Sequence, residues 1–202
     1  MRRYSSHLTV IAGLAVAVIL LAAGGLLTWG SAYVHNTVQG QLASQQIFFP
    51  PKAAFANPKV GTEITPSMIP SVSQYAGEQM LTGQQAEAYA DHFIAVHVAA
   101  AGGGKTYSQL STESQAAPTN TKLAGTVATV FKGETLRGLL LNAYAFGKMA
   151  TIAGIAAVVA FAGAALMLLL SMLGFVHQRR TAADAVLLPK LSGPAPLHPE
   201  VV

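Results

Sequence analysis

The sequence contains no cysteine, which excludes disulfides, thiolate metal sites and a cysteine nucleophile. Any fold in an oxidising compartment must therefore stand on packing alone. Charge is scarce as well, because Asp, Glu, Lys and Arg make up only 10% of residues, against about a quarter in an ordinary soluble domain. The formal charge of +4 is spread along the chain, with no basic cluster interleaved with aromatics, so a nucleic-acid partner is disfavoured. No repeat of fixed period is visible. What fills the place of charge is apolar: 52% of residues are hydrophobic and the mean hydropathy is +0.45. That balance points to a membrane protein.

The organising stretch is Met149 to Val176, about 28 residues without a formal charge where about 20 suffice to cross a hydrocarbon core. A core helix of a soluble domain seldom stays apolar on every face for that length. His177, Gln178, Arg179 and Arg180 stop the run, and adjacent Arg residues at a membrane edge mark the cytoplasmic side. A second run, Leu8 to Trp29, measures about 33 Å as a helix, a full crossing. A cleavable signal peptide competes here, since Arg2 and Arg3 precede the run and Ala22, Ala23 and Gly24 offer small residues for cleavage. The run continues through Leu26, Leu27 and Trp29, which suits a retained anchor better. With Arg2, Arg3, Arg179 and Arg180 set against Arg137 and Lys148, both termini are expected in the cytoplasm. Trp29, Tyr33, Tyr144 and Phe146 would then mark the outer interface.

Between the spans, Val34, Val38 and Leu42 recur every fourth residue and predict that the first helix continues beyond the membrane, ending before Pro50 and Pro51. Ile47 to Ile69 reads as an extended connector. Ser71 with Gln74, and Thr82 with Gln85, both have capping-box spacing and predict two helix starts. The second helix is expected from Gly83 to Ala101, with Ala86, Tyr89, Ala90, Phe93, His97 and Ala100 along one face and Gln84, Glu87 and Asp91 on another. Gly102, Gly103 and Gly104 should end it, and a loop follows to Asn120. Leu123, Val127, Val130 and Phe131 begin a further helix, broken at Gly133. From Glu134 one long helix would lead into the second span, with Glu134 paired to Arg137 and with the stripe Leu136, Leu139, Leu140 and Ala143 facing Val34, Val38 and Leu42. Within the spans, Gly13 with Ala17, Ala150 with Gly154, and Ala156 with Ala160 and Ala164 are small residues at spacing four that permit close helix approach. No ionisable residue lies inside either run, which counts against a proton relay or an ion path. Thr181 to Val202, with four prolines, reads as a disordered tail.

Few residues suggest chemistry. Gly103, Gly104, Lys105 and Thr106 look like the end of a phosphate-binding loop, but Ala99 stands where that motif needs glycine and a helix precedes it, so the glycines read as a helix terminator. Glu87, Asp91, His92 and His97 are the weak candidates for a metal or acid-base site. His92 and His97 lie about 140° apart around a helix and cannot share one metal from that helix alone, so Glu63, Glu78, Glu113 or His35 would have to contribute. The bland alternative is a solvated acidic face with a core histidine. No catalytic residue, resident metal or cofactor is assigned.

Two stretches, Gln84 to His97 (QQAEAYADHFIAVH) and Val130 to Met149 (VFKGETLRGLLLNAYAFGKM), with the exit GFVHQRR, resemble small two-pass membrane proteins of actinobacteria whose function is not established. Such proteins are often labelled aromatic ring-opening dioxygenases. The residues here do not supply the compact His and carboxylate set that a non-haem iron needs. The expectation is thus an all-α membrane protein with two antiparallel transmembrane helices, long juxtamembrane extensions and a small extracytoplasmic helical domain. Its segments are 1–7 cytoplasmic, 8–29 first span, 31–148 outer domain, 149–176 second span and 177–202 tail. The expected role is an accessory, scaffold or assembly protein of the cell envelope, in contact with membrane lipid and with a membrane-protein partner or its own copies. The alternative is an envelope enzyme or a metal- or ligand-sensing domain built on the Glu87 to His97 helix. A channel subunit would require oligomers, because two apolar helices cannot enclose a polar path.

Overall fold

The computed structural model describes residues 2–59 and 63–191, with side chains for 8–59 and 63–180. Described residues form helices and turns without a strand; a single isolated bridge joins Phe48 and Gln79. The helices are α1 (Arg2–Ser44), α2 (Ile69–Val72), α3 (Gly83–Tyr89), α4 (Ala95–Ala101), α5 (Tyr107–Ala116) and α6 (Thr121–Leu191). Both α1 and α6 contain stretches long and apolar enough to cross a membrane. The chain divides into two compact units, one of Met1–Leu27 and Ile155–Val202, the other of Thr28–Gly154.

In the unit Thr28–Gly154, α1 closes with Gln45 and Gln46 amides bonded to Leu42 and Ala43 carbonyls, and Gln46 takes the left-handed conformation at φ 51°. The Gln79 side-chain amide donates to the Ala43 carbonyl at 3.0 Å, satisfying one of the carbonyls a helix end leaves open. The connector is less extended than the prolines suggest. It folds back on itself through Phe49 N–H to Glu78 O and Met80 N–H to Ile47 O, both 2.9 Å, with a short 3-10 turn at Lys52–Phe55. This pairing drives Phe49 into the core and leaves Phe48 exposed, as alternation along an extended segment requires. The core gathers Val38 and Leu42 of α1, Met68, Val72 and Met80 of the connector, Ala86, Ile94 and Val98 of the central helices, Leu110 of α5, and Val130 and Leu140 of α6. Ser71 caps nothing. It sits inside the four-residue α2, which a 3-10 turn at Pro66–Met68 precedes, and the Gln74 amide donates to its backbone carbonyl instead.

The segment expected as one helix from Gly83 to Ala101 is helical throughout but carries a π-turn at Ala90–Ile94 between α3 and α4. That turn admits one extra residue per turn, so the buried stripe advances in fours, through Ala86, Ala90, Ile94 and Val98. His97 and Ala100, which a regular helix would turn inward, are displaced from the core line, and Ala100 is exposed. Gly102 caps α4, and Gly103 and Gly104 follow with φ of 59° and 76°, the Gly104 amide reaching back to the Ala99 carbonyl at 2.8 Å.

Four expectations need correction. Lys105 to Asn120 is not a loop: α5 occupies most of it, started by a Thr106–Gln109 capping box. Gly133 does not break a helix, since α6 runs without interruption from Thr121, its start capped by the Asn120 side chain accepting from the Leu123 amide at 3.0 Å. The glycine is needed for contact, because a Cβ there would collide with Val98 Cγ2. In the stripe of α6, Leu140 is buried and Leu141 and Ala143 pack on the core, whereas Leu136 and Leu139 point out. At its far end α6 continues through Leu191, into the stretch read as a disordered tail; 192–202 lie outside the described residues.

The unit Met1–Leu27 with Ile155–Val202 is a seam of small side chains. Its buried positions include Ala17, Ala157, Ala160, Ala164 and Ser171. A Cβ at Gly24 would meet the Phe161 ring at 2.9 Å, and one at Gly174 would press on Val10 Cγ2 at 3.2 Å. On α1 the half-buried and buried positions are 10, 13, 17, 20, 23, 24 and 27, and apart from 23 they step by three and four, the spacing of a heptad seam. The expectation that Ala17, Ala160 and Ala164 permit close approach agrees with their burial.

Candidate functional site

The four residues singled out on the central helices are not brought together. The π-turn carries Asp91 and His92, with His92 exposed, and it presents Asp91 to α6. There Arg137 donates to Asp91 Oδ1 through Nη2 at 2.9 Å and Nε at 3.2 Å, and its Nη1 reaches Glu134 Oε2 at 3.4 Å. Bonding to Asp91 is the main cause that raises the Arg137 pKa above its ordinary value, so this cation stays charged at any accessible pH. The sequence foresaw only the Glu134 partner. Asp91 is thus a structural anchor holding the π-turn on α6.

His97 is tied locally, its Nδ1 2.8 Å from the Phe93 carbonyl. Because a carbonyl only accepts, Nδ1 carries the proton in that contact. His97 also ends a file of rings. Tyr75 lies 5.2 Å from Phe49, Phe49 meets Tyr89 edge-on at 5.4 Å, and Tyr89, Phe93 and His97 follow one another at 4.6 and 4.5 Å. These spacings are those of favourable offset and edge contacts. Tyr89 is held in its neutral form, its pKa raised above 10.0 first by burial and then by the nearby Glu63 carboxylate. Among the other candidate ligands, Glu78 accepts from the Gln85 amide at 2.9 Å and Glu113 pairs with Lys105 at 2.7 Å. No group of three or more His, Asp and Glu side chains suited to a metal occurs among the described residues.

The capping box at Thr82 does form. Gln85 Oε1 accepts from the Leu81 and Thr82 amides at 2.8 and 3.0 Å, and Thr82 Oγ1 accepts from the Gln85 amide at 3.2 Å. It seats Gly83 directly on α6, where its Cα lies 3.5 Å from where a Cβ on Gly147 would stand. Beside this contact a groove of about 290 Å³ opens, lined by His35 and Gln39 of α1, Thr82 of the cap, and Tyr144, Lys148 and Thr151 of α6. Its walls carry hydroxyls, amides, an imidazole and one ammonium, and no carboxylate. His35 Nδ1 lies 3.0 Å from the Ser31 carbonyl, and one turn further along α1 Ser31 Oγ donates to the Ala150 carbonyl at 2.8 Å. Sequence reasoning took Lys148 only as a topology marker and His35 only as a stray metal ligand. Their meeting depends on the register of α1 against α6, which no local spacing encodes.

A second feature is apolar. Phe131, Leu139 and Phe146 on α6 are 53%, 61% and 55% exposed, and steps of eight and seven residues place them within about 80° around the helix. Tyr107 of α5 touches the Phe131 ring at 5.4 Å and is itself exposed. Set beside known protein families, curated proteins and solved structures, the chain matches none.

Proposed function

We propose that this chain is an integral membrane protein with two antiparallel spans, whose unit Thr28–Gly154 stands outside the cytoplasmic membrane and serves as an accessory, scaffold or assembly protein of the cell envelope. Antiparallel spans are supported by the order of the contacts: Val10 with Gly174, Leu20 with Gly163, Gly24 with Phe161, and Ser31 with Gly154. The cytoplasmic placement of both termini rests on Arg2, Arg3, Arg179 and Arg180. Membrane lipid covers the large apolar side chains of the spans.

The observation that carries the protein-contact reading is the exposed strip Phe131, Leu139 and Phe146, which lies on α6 before the charge-free run begins. Three large apolar side chains on one side of a helix in water mark a surface that a protein covers. The occupant is a membrane-protein partner or another copy of the chain. The alternative, an enzyme or metal sensor built on the Glu87 to His97 helix, has lost Asp91 to the ion pair with Arg137. The test is gentle extraction at native expression level with a photo-crosslinking residue at Leu139, followed by mass spectrometry. A defined protein crosslinked at Leu139, and not at exposed Thr129 on the same helix, supports the reading. Equal, unspecific products at both positions overturn it.

A further inference from the structure

Building on that membrane reading, we propose that the groove between His35 and Lys148 is a binding site for the head group of an anionic phospholipid, with its phosphate on Lys148. The ligand chemistry follows from the lining. Lys148 makes no ion pair among the described residues, and no carboxylate lines the groove to neutralise it or to attract a cation. Tyr144 adds a hydroxyl donor and Gln39 an amide to the same space, whereas the Thr151 and Thr82 hydroxyls donate to the Gly147 carbonyl and to Gln85 Oε1. A cationic point charge beside neutral donors fits a phosphodiester. His35 supplies a second polarity. Its Nδ1 lies 3.0 Å from the Ser31 carbonyl, which leaves Nε2 to meet a hydroxyl on the head group, such as that of glycerol.

The source of the phosphate follows from height. Lys148 is the last charged residue before the charge-free run that starts at Met149, and Thr151 lies within that run. On α1, His35 stands six residues, about 9 Å of helix rise, beyond Trp29. Trp29 and Tyr33 are exposed and stacked at 5.7 Å, a pair suited to the interface. A head-group layer some 5–7 Å deep lies above each face of the hydrocarbon, so lipid phosphates reach the level of Lys148 and Thr151 at the lower edge of the groove. Lys148, exposed and long, can extend to that layer without disturbing the core.

The test uses the full chain in mild detergent, with phosphatidylglycerol, phosphatidylcholine or inorganic phosphate added at equal concentration, and reads amine acylation of each lysine by peptide mass spectrometry. Phosphatidylglycerol should slow acylation of Lys148 at least fivefold. Phosphatidylcholine and inorganic phosphate should change it less than twofold, and exposed Lys132 on the same helix should react alike throughout. His35→Ala should cut the protection of Lys148 by half or more, and Lys148→Gln should lose the phosphatidylglycerol retained in native mass spectra while Lys132→Gln keeps it. Equal protection by both lipids, or protection by inorganic phosphate matching that by phosphatidylglycerol, overturns the proposal. Failure of the membrane reading is seen separately and earlier, as protein released from membranes by an alkaline carbonate wash.

Discussion

The two units use apolar residues in opposite ways. In Thr28–Gly154 the largest fully buried side chains are Met68, Met80, Val72 and Val130, and Ala100 and Ala101 lie on the surface. In the other unit the buried apolar side chains described are Ala17, Ala157, Ala160 and Ala164, while Leu8, Ile19, Leu169, Met172 and Leu173 point outward. Water drives the first arrangement, since large apolar groups gain most by leaving it. The second matches the proposed membrane setting, where burial from apolar surroundings gains nothing and close backbone approach decides what goes inside. Magnitudes separate the cases. Each large apolar side chain left in water forgoes roughly 1.5–3 kcal/mol, so five of them already match the whole stability of a typical domain, about 5–15 kcal/mol. The comparison teaches that side-chain size against burial reports the solvent around each unit.

The sharpest way to break the comparison is to remove bulk from each unit. Met80→Ala should destabilise the Thr28–Gly154 unit by about 2–5 kcal/mol in denaturant or thermal unfolding, because its side chain is fully buried. Leu169→Ala, of similar chemistry but exposed in the other unit, should change the same transition by less than about 0.5 kcal/mol. Equal effects would erase the distinction. Adding bulk comes next: Gly133→Leu drives a side chain into Val98 and should cost about 1–3 kcal/mol, with Gly138→Leu, which faces open space, near neutral.

Smaller effects test how the Thr28–Gly154 unit is held. Thr82→Ala removes a cap in use and should cost about 1 kcal/mol. Arg137→Gln and Asp91→Asn should each cost only about 0.5–1 kcal/mol, less in high salt, because both side chains are about one-third exposed and solvent screens the pair. The double variant should cost little more than either single one, which a double-mutant cycle reads. Tyr89 gives a pH signature. Its raised pKa means the folded state favours the neutral phenol, so its contribution is complete below the ordinary value of 10.0 and is lost as pH rises through the folded value. Phenolate absorbance, with Tyr89→Phe subtracted, should show one tyrosine titrating above the others.

The elements that one helix writes locally were legible in the sequence. The two apolar runs, the continuation of α1 through Val38 and Leu42, the glycine stop at Gly102 to Gly104 and the Thr82–Gln85 box all follow from composition or a fixed spacing. Thr106 and Gln109 have that same spacing, masked by the Ser, Thr, Gln and Pro around them, and the box outweighs those poor helix formers. The π-turn was not legible, because it is the docking of Asp91 on Arg137 and of Val98 against Gly133 that accompanies the extra residue. Gly133 was misjudged for the same reason, being a tertiary contact that looks like a local breaker. The groove was beyond the sequence, since His35 and Lys148 stand on helices whose register is fixed by Ser31 bonding to Ala150 and by Gly83 seating near Gly147. The heptad of buried positions on α1 was hidden in a run where every residue is apolar.

The central claim is that two spans leave Thr28–Gly154 outside and both termini inside. Because the chain has no cysteine, single replacements report without background. Ser108→Cys, on α5, and Thr181→Cys, past the second span, should be treated in intact cells with a membrane-impermeant maleimide, before and after permeabilisation. The account predicts that Ser108→Cys labels at once and Thr181→Cys only after permeabilisation. Immediate labelling at both positions, or the reverse order, would contradict it.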